Sequence, residues 1–280
     1  MIIKAEKEDT EEYEGVDSLV KQRLITAIIG IIIVVPIILY GNWPFLLISY
    51  LLATIALYEL IRMYGEKKNS LYFIVSCLFL WLLIFPGENI TISNFVLTKY
   101  DIIMLFVAIL LVMTVLSKNK FTFDQASFLV FSTLYIGTAF YYLLITRLAG
   151  LNYFLFVLFI IWATDTGAYF IGKYFGKRKL WPEISPNKTI GGAIGGIILA
   201  LVVSIVFQLV YPFDKSLLAI IIITVVISIV GQLGDLVASA IKRHYNVKDS
   251  GKIFPGHGGI LDRLDSLLFV LIVLYIIQFF

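Results

Sequence analysis

Charge is scarce in this 280-residue chain: Asp, Glu, Lys and Arg make up 15% of it, and the formal net charge is only +3. So small an excess argues against the dense basic surface that nucleic-acid binding needs. There are one cysteine and two histidines. The lone Cys77, inside an apolar run, excludes a disulfide framework and a zinc cluster. The first 22 residues, MIIKAEKEDTEEYEGVDSLVKQ, are acidic and polar. Without the basic start, apolar core and cleavage site of a secretory signal, they are expected to be a cytoplasmic tail with no catalytic part. Between the apolar stretches no loop is long enough for a soluble domain, and no internal repeat is evident.

Apolar residues, by contrast, make up 60% of the chain, with a mean hydropathy of +0.95. Soluble domains usually hold about 45–50%. The fold class expected is all-α, a polytopic integral membrane protein. A bilayer about 30 Å thick needs roughly 17–25 apolar residues per helix. Nine stretches qualify, near 24–41, 43–62, 71–86, 101–117, 126–146, 151–172, 190–211, 216–238 and 264–280; eight or ten spans remain open because the third is short and the sixth to eighth carry polar residues. A cytoplasmic N-terminus puts 19 of the 22 Lys and Arg on the inner side, leaving Lys99, Arg147 and Lys215 outside, as retention of positive charge in short inner loops requires. The chain then divides into the tail 1–22, a bundle of about five spans over 23–150 and a polar, catalytic region of about four spans over 151–280.

Three groups in that last region carry chemistry. Asp165 sits in an otherwise apolar span, within Trp162-Ala-Thr-Asp-Thr-Gly-Ala-Tyr169, and an intramembrane acid is by default a functional residue. Ser185-Pro186-Asn187-Lys188-Thr189 follows a basic loop. Ser185 and Pro186 can start the seventh helix, and the free amides there, beside Lys188 and Thr189, could cradle a phosphate. The glycines that follow, Gly191, Gly192, Gly195 and Gly196, suit a phosphate loop or a helix-packing face equally.

The third group is densest, running from Gly231 to Ser266. Asp235 and Ser239, four apart, share a helix face, as do Asp262 and Asp265, three apart. Three carboxylates, Asp235, Asp262 and Asp265, converging on one point would make a hard-oxygen metal site of the kind magnesium shares with substrate phosphates. Lys242, Arg243, Lys248 and Lys252 lie between them and suit anionic oxygens. Gly256-His257-Gly258-Gly259 lets backbone approach a ligand closely. Acids for metal and bases for phosphate point to phosphoryl or nucleotidyl transfer. A secondary transporter with Asp165 and Asp235 as a midplane ion site is the rival, disfavoured because the acids cluster with a basic glycine loop on one face.

The run Ser239-Ala-Ile-Lys242-Arg243, four residues, Lys248-Asp249-Ser250-Gly251, then Phe254-Pro-Gly-His257-Gly258-Gly259-Ile-Leu-Asp262-Arg263-Leu-Asp265 resembles the signature of phosphatidate cytidylyltransferases, the CDP-diacylglycerol synthases. Gly234-Asp235, Trp162–Tyr169 and Ser185-Pro186 with Lys188-Thr189 extend the resemblance over the last 120 residues. Where the family pattern S-P-K-K-T-x-E-G has its first lysine and its glutamate, this chain carries Asn187 and Gly191, so no role of that glutamate transfers. The resemblance implies the reaction of CTP with phosphatidate to give CDP-diacylglycerol and pyrophosphate, in a bacterial inner membrane with the site facing the cytoplasm. It also implies magnesium, with a second cation left open, on Asp235, Asp262 and Asp265, and Asp165 as a further acid. Phosphates would be held by Lys242, Arg243, Lys248, Lys252 and Arg263, with Asp249, Gly258, Gly259, Ser185, Lys188 and Thr189 at the substrates and His257 positioning. A homodimer is implied as well.

Overall fold

In a computed structural model of the chain, which describes residues 28–65, 71–87, 89–92, 95–253 and 258–279, each apolar stretch folds as a helix. Among the described residues these are α1 (Ile28–Tyr40), α2 (Asn42–Tyr64), α3 (Leu71–Ile84), α4 (Lys99–Leu116), α5 (Phe123–Ala149), α6 (Leu151–Phe175), α7 (Ile190–Val210), α8 (Leu217–His244) and α9 (Leu261–Ile276). Six of them, α2 and α4 to α8, are long and apolar enough to cross a membrane. The tail 1–22, His257 and the rest of 254–257 lie outside the described residues.

Sequence sets the helix ends. Thr98 and Asp101 form a reciprocal capping box at the start of α4, and Thr122 and Gln125 do the same for α5, each satisfying amides that the first turn leaves without partners. Thr189 and Ser216 cap α7 and α8 through their side chains. Basic side chains close C-terminal ends: Arg147 donates to the Ile38 and Leu39 carbonyls at 2.8 and 3.0 Å, and the Lys99 ammonium to those of Leu82, Leu83 and Phe85 at 3.1, 2.9 and 2.6 Å. Gly41, between α1 and α2, is held at φ 69°, and a Cβ there would strike the Arg147 guanidinium. The break therefore needs glycine on both counts.

Aromatic rings tie the helices together. Phe45 of α2 meets Phe154 of α6 edge-on at 5.4 Å, and Tyr142 of α5 stacks on Tyr275 of α9 at 4.1 Å. Large apolar side chains also cover the outside, such as Leu116 and Leu209 at 76% and 80% exposure, the surface a bilayer would cover. The closest packing joins α6 and α7. A Cβ on Gly167 would come 2.7 Å from the Gly195 carbonyl, one on Gly192 would come 2.7 Å from that of Ala168, and one on Gly196 would come 2.7 Å from that of Thr164. Gly192, Gly195 and Gly196 thus form a packing face that brings two backbones into contact, and Gly192 also borders the cavity described below.

The architecture departs from all-α in two small antiparallel hairpins, β1 (Asn89–Ile92) with β2 (Phe95–Thr98), and β3 (Lys179–Trp181) with β4 (Ser185–Thr189). The second corrects the expectation that Ser185 and Pro186 open the seventh helix. They belong to β4, Thr189 pairs with Lys179, and α7 starts only at Ile190. The physical reason is the proline ring, which drives the residue before it into extended backbone, while the free edge of a two-stranded ribbon tolerates its missing N–H.

Candidate active site

The hairpin β3–β4, the C-terminal half of α6, the start of α7 and the middle of α8 enclose a cavity of about 620 Å³. That is within the range of small-molecule pockets, roughly 300–1,000 Å³. Asp165, Asp235, Lys173, Lys179, Lys188 and Asn187 are among its lining residues. The Lys188 ammonium pairs with the Asp235 carboxylate at 2.5 Å and also reaches the Gln232 carbonyl at 3.4 Å. Ser239 Oγ stands 3.4 Å from Asp235 Oδ1, as their four-residue spacing requires. Asp165 is exposed and lines this cavity. Beneath the cavity, Thr164 Oγ1 donates to the Ile160 carbonyl at 2.8 Å and lies 3.0 Å from Ser228 Oγ, a buried polar link between α6 and α8.

A second cluster forms where the loop after α8 returns to α9. Asp262 Oδ1 takes the Lys242 ammonium at 2.6 Å. Its Oδ2 accepts the Ser250 amide at 2.8 Å and the Gly259 amide at 2.9 Å, with the Ser250 hydroxyl also at 2.9 Å. Gly258, at φ 83°, turns the chain so that these amides face one carboxylate. Asp265 lies one turn further along α9, beside a small cavity of about 20 Å³ that it shares with Asp262, Lys242 and Tyr135. That space is large enough for one water.

The two clusters meet electrostatically. Asp235 acts on both Asp165 and Asp265, and Asp165 acts on Asp265. Lys188 and Lys242 are their near cations, and among the described residues no three acids stand close enough to hold a metal ion as they are. Both oxygens of Asp262 are engaged by donors from the protein. Arg243 at the end of α8, Lys248, Asp249 and Lys252 on the loop and Arg263 in α9 are exposed, and Arg243 reaches the Val247 carbonyl at 3.4 Å. Ser185 is half-buried on β4, and Thr189 is buried with its hydroxyl capping α7.

One residue of the second cluster comes from the other half of the chain. Glu59 of α2 is 1% exposed and accepts the amides of Ile260 and Leu261 at 2.9 and 3.0 Å. A lone acid in the apolar run LLATIALYELIRMY is a signal of the same kind as Asp165.

Fold and site together define a helical membrane protein in which apolar helices enclose a charged cavity suited to an anionic small molecule. The chain belongs to the cytidylyltransferase family, whose model matches residues 21–280. It is 46% identical over 258 residues to a phosphatidate cytidylyltransferase of Bacillus subtilis (strain 168), covering 91% of this chain and 96% of that protein. It is also 48% identical to one of Staphylococcus saprophyticus and 49% to one of Staphylococcus haemolyticus, each alignment covering 92% of this chain and 98% of the relative. The match therefore takes in α1 to α5 as well as the signature region.

Proposed function

We propose that this protein transfers the cytidylyl group of CTP to phosphatidate, giving CDP-diacylglycerol and pyrophosphate. The observation that carries the reading is the cavity in which Lys188, Lys173 and Lys179 gather opposite Asp165 and Asp235, on a chain nearly half identical to proteins named for that activity. A phosphatidate oxygen attacks the α-phosphorus of CTP, the bond from that phosphorus to the α,β-bridging oxygen breaks, and pyrophosphate leaves with the electron pair. The nucleophile is already ionised near neutral pH, so no general base is required. The work falls to positioning and charge neutralisation. Lys188, Lys173 and Lys179 would neutralise phosphate oxygens, and binding of an anion there would compete with Asp235 for Lys188.

Magnesium, held by Asp235 and Asp265 with Asp165 alongside, would supply charge neutralisation of the triphosphate. Asp262, committed to Lys242 and the loop amides, would hold the loop and the lysine in place. Arg243, Lys248, Lys252 and Arg263 would meet the lipid headgroup or the outer phosphates from the loop surface.

The helices would cross a bacterial plasma membrane as nine spans with the N-terminus inside, and the enzyme would work as a homodimer. Under that topology the C-terminal ends of α2, α6 and α8 and the N-terminal ends of α7 and α9 all face the cytoplasm, where CTP is found. The test is direct: the purified full-length protein, given phosphatidate vesicles, magnesium and each nucleoside triphosphate separately, should form CDP-diacylglycerol with CTP, read by mass spectrometry. Absence of any nucleotidyl-lipid product from folded protein would refute the reading.

A further inference from the structure

We infer that Glu59 is a positioning residue through which the N-terminal helices set the geometry of the signature loop and hence the turnover of the site. The first turn of α9, which carries Asp262 and Asp265, has no side-chain cap of its own. Its leading amides, of Ile260 and Leu261, point instead at the Glu59 carboxylate, brought from about 200 residues earlier in the chain. An anion at a helix N-terminus satisfies free amides and opposes the positive end of the helix dipole.

The contact extends past the helix end. Ser250 Oγ lies 2.9 Å from Glu59 Oε2 and 2.9 Å from Asp262 Oδ2, so one hydroxyl links the two carboxylates and donates its single proton to one of them at a time. The loop is shaped around this group. A Cβ on Gly251 or on Gly259 would strike Glu59 Oε1, and one on Gly259 would strike Ser250 Oγ too. Glu59 itself is buried and lines neither the larger nor the smaller cavity. It therefore acts on the reaction only through what it holds: the start of α9, Ser250 and, by way of Ser250, Asp262 and its partner Lys242.

This inference rests on the cytidylyl-transfer reading, and wild-type protein in the same assay separates the two: an inactive, folded wild type fails that reading, whereas an active wild type makes the variants a test of Glu59 alone. Full-length Glu59→Gln, Ser250→Ala and the double variant are compared for kcat, KM for CTP and melting temperature, beside Phe106→Leu, a packing change in the core of α4. The amide of Gln can accept at one end only, so kcat should fall by about tenfold or more while KM for CTP stays within roughly threefold, since the CTP cavity does not include Glu59. Ser250→Ala should cost less, and the double variant should be no slower than Glu59→Gln by more than about twofold, because both changes cut one linkage. Wild-type kcat in Glu59→Gln, a loss that Phe106→Leu reproduces at an equal fall in melting temperature, or single effects that multiply in the double variant would each overturn the inference. Should Glu59→Gln fail to fold, Gly259→Ala takes its place by displacing the same carboxylate: reduced kcat with KM for CTP retained supports the role, and wild-type kcat overturns it.

Discussion

Replacing Asp262 by Asn separates a residue that holds the loop from one that meets substrate, and the size of the effect follows from the contacts. The Lys242 and Asp262 side chains are only 14% and 7% exposed, and four donors from three residues converge on the carboxylate. An amide has one acceptor oxygen. Turned towards Ser250 and Gly259, it sets its NH2 group against the Lys242 ammonium and loses a charge-assisted bond worth about 1.5–3 kcal/mol; turned towards Lys242, it leaves two buried amides without an acceptor. Breaking such a pair from one side costs about 3–5 kcal/mol when fully buried, so a loss of roughly 2–4 kcal/mol is expected for this partly buried one. At roughly 2–4 °C per kcal/mol for a chain of this size, the melting temperature of the detergent-purified protein, followed by tryptophan fluorescence, should fall by about 4–16 °C. Asp235→Asn is the control. The Lys188 and Asp235 side chains are 25% and 35% exposed, and pairs so solvated contribute about 0–1 kcal/mol, which predicts a shift under about 4 °C together with loss of turnover. Equal melting shifts for the two variants would refute the division of roles between Asp262 and Asp235.

Further changes probe the rest of the site. Lys188→Gln should lower kcat/KM for CTP by roughly 10- to 100-fold, the equivalent of a lost bond to a charged group, and leave the melting temperature within about 3 °C; steady-state kinetics over a CTP series checks it. Gly192→Ala sets a Cβ 2.7 Å from the Ala168 carbonyl and should destabilise by about 1–3 kcal/mol through overpacking, displacing Thr189 and Lys188 so that activity falls with stability in the same preparations. Arg147→Met removes two bonds to the end of α1, on the far side from the cavity, and should lower the melting temperature by a few degrees, at about 1 kcal/mol per lost bond, while kcat stays near wild type. Chelation of divalent ions should abolish turnover, and added magnesium should restore it in the same sample.

The helices were legible because bilayer-length apolar stretches leave few other solutions, and every one of the nine stretches overlies a helix. Local spacing was equally informative where both partners lie on one helix, as for Asp235 and Ser239. Contacts between distant segments were not. That Lys188 would meet Asp235 depends on the close approach of α6 and α7, which in turn depends on glycines whose packing role and phosphate-loop role look alike in sequence. Ser185-Pro186 was ambiguous for a similar reason: proline suits both a first helical turn and an edge strand, and only pairing with Lys179–Trp181 decides. How Asp262 is held was not legible, because residue type and spacing carry no count of the donors that a folded loop aims at each carboxylate. Glu59 left a readable trace as a lone acid in an apolar run, but its partners lie 191 to 202 residues away, and no local pattern names them.

The most direct test follows the label. Purified full-length protein in phosphatidate vesicles with magnesium should transfer the α-phosphate of CTP into lipid and release the γ-phosphate as pyrophosphate, and Asp235→Asn protein of unchanged melting temperature should do neither. Label from the γ position appearing in lipid, or α-label transferred undiminished by the Asp235→Asn protein, would contradict cytidylyl transfer at this cavity.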